Sequence, residues 1–205
     1  MGKNVNRGLL VVISGPSGTG KGALTKLLKQ KKPHIRFSIS ATTRKPRDGE
    51  INGINYFFKS EKEFEKMIKD NEFVEWVRYC ENYYGTPEKF ISDSIENGHD
   101  VLFEIEVEGA LKIKERFPGS ILVFIVPPSH KELARRIKGR GTEDKNIIEK
   151  RMLRAVEELE LVDEYDYLVI NDKLDRACDD VIHIMEAEKL KTARNKERLE
   201  KMHLL

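Results

Sequence analysis

The sequence predicts an α/β fold with a parallel β-sheet at its core. Two observations lead to this prediction: continuous apolar runs alternate with helical patterns, and a glycine-rich loop follows the first of these runs. A continuous run of β-branched and other apolar residues is typical of a strand buried on both faces. The 205 residues, 39% of them hydrophobic, suffice for one compact α/β body with an insertion.

The core elements follow one another in strand–helix order. Leu9–Ile13 is the first predicted strand, Ser14–Gly20 is the glycine-rich loop, and Gly22–Gln30 has helical apolar spacing. The later core strands are predicted at Val101–Ile105, Ile121–Val126 and Tyr167–Ile170. The remaining helices are predicted at Pro87–Asn97, Gly109–Arg116, His130–Lys138, Ile147–Leu161 and from Asp175 towards the end. The charged tail Lys189–Lys201 is expected to be solvated or frayed.

The segment from about Phe37 to Pro87 has a different pattern. Turn signals such as Asp48-Gly49 and Asn52-Gly53 divide it into short pieces around one amphipathic helix, Glu61–Lys69. The short strands are predicted at Phe37–Ser40, Tyr56–Phe58 and Phe73–Val77. We interpret this segment as a small α+β insertion.

The composition excludes several classes of protein. Lys and Arg (37) nearly balance Asp and Glu (35), and a net charge of +2 does not indicate a nucleic-acid binder of the simple basic type. Cys80 and Cys178 are far apart and the histidines lack metal-binding spacing, so neither a disulfide framework nor a zinc site is predicted. Without a membrane-length apolar run or a secretion signal, we expect a cytoplasmic protein. No pattern indicates an oligomeric state.

The glycine-rich loop has the pattern of a phosphate-binding loop. Gly15 to Lys21 fits GxxxxGK, in which small residues let successive backbone N–H groups point at phosphate oxygens. Lys21 supplies a full charge to the β- and γ-phosphates, and a strand before and a helix after the loop disfavour a plain glycine turn. The residues expected to bind ATP are Gly15, Pro16, Ser17, Gly18, Thr19, Gly20, Lys21 and Gly22.

One departure from this pattern concerns the metal. Ser or Thr normally follows the lysine and its hydroxyl ligates Mg²⁺, whereas Gly22 and Ala23 follow here. We therefore expect phosphates and water to hold Mg²⁺, with carboxylates beyond those waters, and we assign no metal ligand from the protein.

Segments after the loop resemble the guanylate kinase family. They occur in the family's order and are Phe37–Glu50, Asn52–Tyr56, Glu72–Trp76, Asn82–Thr86, Pro127–Ser129 and Gly139–Thr142. The resemblance extends from Leu9 to about Ile184 and implies a P-loop nucleoside-monophosphate kinase that transfers the γ-phosphate of ATP to GMP and dGMP. It also implies a P-loop core (1–36, 88–126 and 162–205), a GMP-binding subdomain (37–87) and a helical lid region (127–161).

The resemblance assigns residues to GMP, namely Ser40, Arg44, Arg47, Tyr56, Glu75, Tyr84, Gly85, Thr86 and Glu106. Arginines offer planar forks for phosphate oxygens, and the tyrosines are either hydroxyl donors or core aromatics. Glu75 is expected to accept hydrogen bonds from guanine N1–H and N2–H₂, although strand alternation alone would point it outward. Glu106 follows a core strand where the family often has Asp, and contact with guanine or with magnesium waters are both open roles.

The catalytic residues implied by the resemblance are all cationic: Lys21, Arg44, Arg136, Arg140 and Arg151. Phosphoryl transfer needs positioning and cations, and an acceptor that is already an anionic phosphate oxygen needs no general base. Asn171-Asp172 follows a core strand and either lies near the adenine pocket or forms a turn with a helix cap.

Two other functions are weighed against this one. The chain could be a non-catalytic guanylate-kinase-like binding module, since a fold does not fix a function, or a sister kinase with another phosphorylated acceptor. The complete set of phosphate-binding cations argues against the binding module.

Overall fold

The computed structural model describes residues 7–79, 81–138 and 145–203. The described residues form an α/β fold with helices around a parallel-sheet core, which confirms the predicted fold class. The chain divides into two compact units: Met1–Val12 with His34–Ser120, and Ile13–Pro33 with Ile121–Leu205. No helix in the described part of the chain is long and apolar enough to cross a membrane.

Nine strands and eight α-helices are present within the described residues. The strands are β1 (Leu10–Ser14), β2 (Arg36–Phe37), β3 (Ala41–Thr42), β4 (Phe57–Phe58), β5 (Phe73–Tyr79), β6 (Asn82–Pro87), β7 (Val101–Glu104), β8 (Ile121–Val126) and β9 (Tyr167–Ile170). The helices are α1 (Lys21–Lys31), α2 (Glu61–Lys69), α3 (Glu88–Glu96), α4 (Val107–Arg116), α5 (His130–Lys138), α6 (Lys145–Leu159), α7 (Leu174–Leu190) and α8 (Thr192–Lys201). A 3-10 turn, Glu160–Glu164, follows α6.

The first unit contains a four-stranded sheet with the order β4-β3-β6-β5. Strands β3 and β4 are parallel, whereas β6 runs antiparallel to both of its neighbours. Helix α2 covers one face of this sheet, where Phe64 stacks on Phe73 at 4.3 Å and on Tyr83 at 5.3 Å between ring centroids. A capping box formed by Ser60 and Glu63 begins this helix, so its start is fixed by the local sequence. In the same unit, β2 pairs in parallel with β7, in the order β2-β7-β1.

The second unit contains the end of β1 with β8 and β9, in the order β1-β8-β9. Strands β8 and β9 are parallel, with Ile125 opposite Val169. The apolar runs behave as predicted, because all residues of β1 and the first five residues of β8 are buried. Helix α1 packs on α7, and α5 packs on α6 around Leu133, Ile137 and Ala155.

The structure corrects several predicted elements. The predicted strand Phe37–Ser40 is divided: Phe37 ends β2, and a new strand, β3, begins at Ala41 in the four-stranded sheet. Strand β6 was not predicted, since its Asn, Gly and Pro residues are unfavourable in strands and only pairing with two neighbours supports it. The tail Lys189–Lys201, expected to be solvated or frayed, is helical rather than frayed, in α7 and α8, and most of its described side chains are exposed. The buried Glu188 bonds Tyr167 and pairs with Lys191 where the two helices meet.

Candidate active site

The phosphate loop of the second unit has the backbone that its sequence predicts. Gly15, Gly18 and Gly20 have φ values of 136°, 91° and 92°, a region that residues with a Cβ rarely adopt. Gly20 is the N-cap of α1, and Lys21 is the first residue of that helix. The loop therefore combines a succession of turned backbone amides with a helix N-terminus, an arrangement that suits a phosphate anion.

Lys21 is held against the loop by the loop's own carbonyl groups. Its Nζ donates hydrogen bonds to the oxygens of Gly15 and Pro16, the latter at 3.3 Å, and the residue is buried. The Thr19 hydroxyl donates to the same Pro16 oxygen at 2.9 Å. A buried ammonium fixed beside the loop is placed to meet a phosphate as a full positive charge.

Two cationic side chains from helices α5 and α6 contact the phosphate loop. Arg136 Nη1 donates to the Thr19 oxygen at 3.2 Å, and Arg151 Nη2 donates to Ser17 Oγ at 2.6 Å. Glu132, one turn before Arg136, accepts a hydrogen bond from Arg136 Nε at 2.7 Å. Arg135 and Arg136 lower the pKa of Glu132 to about 2, so Glu132 stays ionised. The structure thus brings two of the predicted arginines to the loop, while Arg140 lies outside the described residues.

Three of the predicted acceptor residues, Glu75, Tyr84 and Thr86, share one face of the four-stranded sheet in the first unit. Glu75 lies opposite Thr86, and Thr42 lies opposite Tyr84. Residues directly opposite each other in antiparallel strands point to the same face, and residues two apart in a strand do so as well. Thr86, Tyr84 and Glu75 therefore face one way, away from the face that packs on α2. Ser40 lies two residues before Thr42, just ahead of β3.

Glu75 owes its position to an irregularity in β5. The register with β6 shifts between Phe73 and Glu75, as in a β-bulge, so Glu75 does not share the face on which Phe73 packs against α2. Phe73 and Val74 are both buried, Glu75 is half-buried, and Trp76 is 46% exposed. The Thr86 hydroxyl donates to Glu75 Oε1 at 2.8 Å.

The electrostatic environment of Glu75 combines burial with partial compensation. Burial raises the pKa of Glu75, while the hydrogen bond from Thr86 and the charge of Lys112 act in the opposite direction. Lys112, on α4, lines a cavity of about 350 Å³ together with Glu75, Trp76 and Arg116. No local sequence pattern indicated that Lys112 lies near Glu75, because α4 and β5 come into contact only in the tertiary fold.

Arg44 is fixed in place by a carboxylate that sequence reasoning missed. Its Nη1 and Nη2 donate to the two oxygens of Glu50 at 3.0 and 2.9 Å, and its guanidinium lies 5.3 Å from the centroid of the Tyr56 ring. This pair lowers the pKa of Glu50, helped by the Arg47 backbone N–H, which donates at 2.7 Å. Arg44 is therefore an ordered cation rather than a solvated turn residue. The segment from Arg44 to Glu50 belongs to no helix or strand, so no periodic pattern indicated this pair.

The remaining predicted residues are placed as follows. Tyr56 and Tyr84 form an edge-to-face pair with centroids 6.2 Å apart, and Arg47 is exposed beside Arg44. Glu106 is exposed at the N-cap of α4, two residues after β7 ends. Gly85 lies on the sheet face that packs on α2, where an added Cβ would be 3.0 Å from the Trp76 Cβ. A larger residue would therefore crowd Trp76, and Gly85 can contact a ligand only through its backbone.

Asn171, whose role the sequence left open, lies against the phosphate loop. It is 5% exposed, and its Nδ2 donates to the Thr19 oxygen at 2.8 Å. Asp172 uses a carboxylate oxygen to accept from the Lys173 backbone N–H at 2.6 Å, just before α7 begins. The predicted helix cap at Asp172 is wrong, because Lys173 is the N-cap of α7 and Asp172 makes only a local turn contact. Asn171 contacts the phosphate loop, and its predicted position near the adenine pocket stays a prediction.

The two groups of residues have complementary chemistry. The second unit offers a loop of backbone N–H groups, a buried lysine and two arginines, which suit a polyphosphate. The first unit offers an ordered arginine between tyrosines and, farther along the same sheet face, a half-buried carboxylate with a hydroxyl partner. That pairing suits a ligand with a phosphate at one end and two adjacent N–H donors at the other.

Comparison with known proteins agrees with this chemistry. A family model described as "Guanylate kinase" matches residues 7–188. The chain is 52% identical over 191 residues to a guanylate kinase of Caldanaerobacter subterraneus subsp. tengcongensis, covering 93% of each chain. It is 49% identical over 197 residues to that of Bacillus subtilis, covering 96% of this chain and 97% of the relative.

Among solved structures, the fold is similar to the crystal structure of guanylate kinase from Anaplasma phagocytophilum. The TM-score is 0.71 at 31% sequence identity, with 98% of this chain and 97% of that chain covered. A family match over most of the chain, relatives at about half identity and a phosphate loop of the required geometry lead to one conclusion. The chain belongs to the guanylate kinase family.

Proposed function

We propose that this chain transfers the γ-phosphate of ATP to GMP, giving ADP and GDP, and that it also accepts dGMP. The proposal rests on family membership and on one observation above all. Glu75 and Thr86 form a hydrogen-bonded pair on the sheet face that also carries Tyr84, next to the ordered Arg44. No observation on the described residues favours a non-catalytic binding module.

Guanine is read by the Glu75 carboxylate in this proposal. Guanine presents N1–H and N2–H₂ as adjacent donors, and a carboxylate has acceptor sites for both. Thr86 occupies one site on Oε1 at 2.8 Å and orients the group, leaving the other sites for the base. Adenine lacks this pair of donors, and it would leave the remaining acceptor sites of the half-buried carboxylate unpaired. Ser40 adds a hydroxyl suited to the base.

The phosphate of GMP is bound by Arg44 and Arg47 with the Tyr56 and Tyr84 hydroxyls. Two contacts orient the Arg44 guanidinium before any ligand arrives: the bidentate pair with Glu50 and the Tyr56 ring. An oriented guanidinium loses less conformational freedom on binding than a solvated one. The backbone of Gly85 and the Glu106 carboxylate complete the acceptor site, with Glu106 facing guanine or the water around a metal ion.

ATP is bound by the loop from Gly15 to Gly22. Lys21 neutralises charge on the β- and γ-phosphates, while Arg136, Arg140 and Arg151 place cations around the transferred group. Arg136 and Arg151 already contact the loop at Thr19 and Ser17. Charge on the moving phosphoryl group is spread over its oxygens, so fixed cations lower the barrier without a general base.

Mg²⁺ is the metal that we propose for ATP binding. Gly22 offers no side-chain oxygen, and no group of three or more His, Cys, Asp or Glu side chains within the described residues could hold a metal ion. These residues fit an ion held by phosphate oxygens and water, which Mg²⁺ accepts readily. When bound, Mg²⁺ supplies positive charge that offsets the repulsion between the two nucleotides.

The functional division of the chain in this proposal is the one predicted from the sequence. We propose a P-loop core (1–36, 88–126 and 162–205), a GMP-binding subdomain (37–87) and a lid region (127–161). The cytoplasmic location is part of the same proposal, because the reaction consumes ATP.

Replacing the buried lysine tests the assignment of the ATP site. We expect Lys21→Ala to abolish nearly all turnover, because the β- and γ-phosphates lose their full positive charge, while the Kd for GMP stays within about twofold. Lys26→Ala, an exposed lysine on the same helix, is the matched control and should keep wild-type turnover. If GMP affinity fell as much as turnover in folded Lys21→Ala protein, the division of roles between Lys21 and Glu75 would be wrong.

A further inference from the structure

Thr19, within the phosphate loop, has a carbonyl group on which two donors converge. Asn171 Nδ2 donates to this oxygen at 2.8 Å, and Arg136 Nη1 donates to it at 3.2 Å. Thr19 is fully buried and Asn171 is 5% exposed, so water cannot readily substitute for either donor. The orientation of this carbonyl is therefore set by side chains that lie far from the loop in sequence.

Asn171 is itself held firmly. Its backbone N–H donates to the Val126 oxygen at 2.8 Å, at the end of β8, and its own carbonyl accepts from Arg136 Nη2 at 3.0 Å. Arg136 in turn donates through Nε to Glu132 at 2.7 Å. The amide that reaches Thr19 thus belongs to a residue fixed by the sheet on one side and by α5 on the other.

The Thr19 carbonyl matters because of the peptide group that it shares with Gly20. A trans peptide is planar, and its C=O and N–H point in opposite directions. Holding the Thr19 oxygen towards Asn171 therefore holds the Gly20 N–H on the opposite side. In a phosphate loop, such N–H groups are the donors to the phosphate oxygens.

The packing at Gly20 supports the same interpretation. A Cβ at this position would lie 2.5 Å from Asn171 Nδ2, and Gly20 has a φ of +92°. The Asn171 amide consequently lies directly against the loop backbone, in space that only glycine leaves open.

We propose that Asn171 is a positioning residue that orients the Thr19–Gly20 peptide for phosphate binding. This inference rests on the proposed function, in which the loop binds the phosphates of ATP. It assigns Asn171 an effect on the phosphates through the loop backbone, and it gives Arg136 a supporting contact outside the transferred group.

Two substitutions isolate the amide. Asn171→Asp keeps the shape but replaces the donor with an oxygen that repels the Thr19 carbonyl, and Asn171→Ala removes the side chain. Asn195→Ala is the matched control, because Asn195 Nδ2 also donates to two backbone oxygens, those of Lys189 and Lys191 at 2.8 and 3.0 Å. Calorimetric titration measures the Kd of each variant for inorganic tripolyphosphate, ATP and GMP.

Both Asn171 variants should bind tripolyphosphate and ATP about tenfold more weakly than the wild type, as expected for loss of a buried hydrogen bond worth about 1.4 kcal/mol. Within each variant, the loss should be the same for the two ligands. GMP affinity and the Asn195→Ala control should not change. Weaker ATP binding with unchanged tripolyphosphate binding would show that Asn171 acts on the adenosine part and would overturn the inference. Unchanged binding of both ligands, or an equal loss of GMP affinity, would overturn it as well. If the wild-type protein failed to bind tripolyphosphate, the phosphate loop of the proposed function would be wrong too.

Discussion

At Glu75, the residue that we propose to read guanine, burial disfavours the ionised carboxylate. Burial raises the pKa of this carboxyl, and the Thr86 hydroxyl and the Lys112 charge only partly oppose that effect. An ionised carboxylate at this half-buried position lowers the free energy of unfolding relative to an exposed one, and such destabilisation is common at functional sites. Ligand donors relieve the cost, so Glu75 is poised to gain from a partner with two N–H groups.

Removing this charge should reduce the use of GMP strongly. Glu75→Gln keeps the volume but sets an NH₂ donor against a donor of guanine, and the loss of one charge-assisted hydrogen bond costs about 1.5–3 kcal/mol. We therefore expect kcat/KM for GMP to fall by at least about tenfold. Glu72→Gln, an exposed neighbour, is the control and should retain wild-type kinetics. An unchanged kcat/KM in Glu75→Gln would mean that guanine is read by other residues.

Glu75→Gln should stabilise the folded protein although it lowers the use of GMP. A folded-state pKa above the ordinary value of 4.5 means that folded Glu75 binds its proton more tightly than unfolded Glu75. Its contribution to stability is then fully present below that ordinary value and is lost as the pH rises through the folded-state pKa. Glu75→Gln should accordingly have a higher Tm than the wild type at pH 7 to 8, with the difference closing in acid. Thermal melts of both proteins between pH 4 and 8 measure this, and a lower Tm for Glu75→Gln at pH 8 would contradict it.

At the scale of the elements, sequence patterns predicted the helices and the buried apolar strands better than the strands of the four-stranded sheet. Helices α2 and α5 have the predicted bounds because capping residues or apolar spacing define them locally. Strand β6 and the bulge in β5 depend on pairing between distant segments, which no local pattern records. The site follows the same rule. The role of the phosphate loop could be predicted, whereas Glu50 takes its role from a turn and Lys112 and Asn171 take theirs from tertiary contacts.

Helices α5 and α6 are the elements that we expect to respond to substrates. Each carries an arginine that contacts the phosphate loop, and the predicted glycine hinge between them, Gly139 to Gly141, lies outside the described residues. Binding of both nucleotides should increase amide protection from hydrogen exchange near residues 130–155, because closure of such a segment excludes water. Hydrogen exchange of the free and doubly liganded protein checks this. Equal protection in the two states would count against a mobile lid.

At the scale of the whole molecule, the residues that we propose for ATP phosphates lie in one unit, and those that we propose for GMP lie in the other. The second unit holds the phosphate loop with Lys21, Arg136 and Arg151, and the first holds Glu75 with the acceptor residues of the four-stranded sheet. The α/β class and the order of the core elements could be predicted because a parallel sheet needs strand–helix alternation. The division of the chain into these two units could not, because it depends on contacts between segments far apart in sequence.

Nucleotide specificity tests the central claim most directly. Initial rates with Mg²⁺ and ATP should be measured for GMP, dGMP, AMP and UMP, with Glu75→Gln in parallel. We predict rapid formation of GDP and dGDP by the wild-type protein, little transfer to AMP or UMP because neither offers the two donors that Glu75 requires, and a marked loss for GMP in Glu75→Gln. Absence of transfer to GMP by folded wild-type protein, or faster transfer to AMP or UMP, would contradict the account.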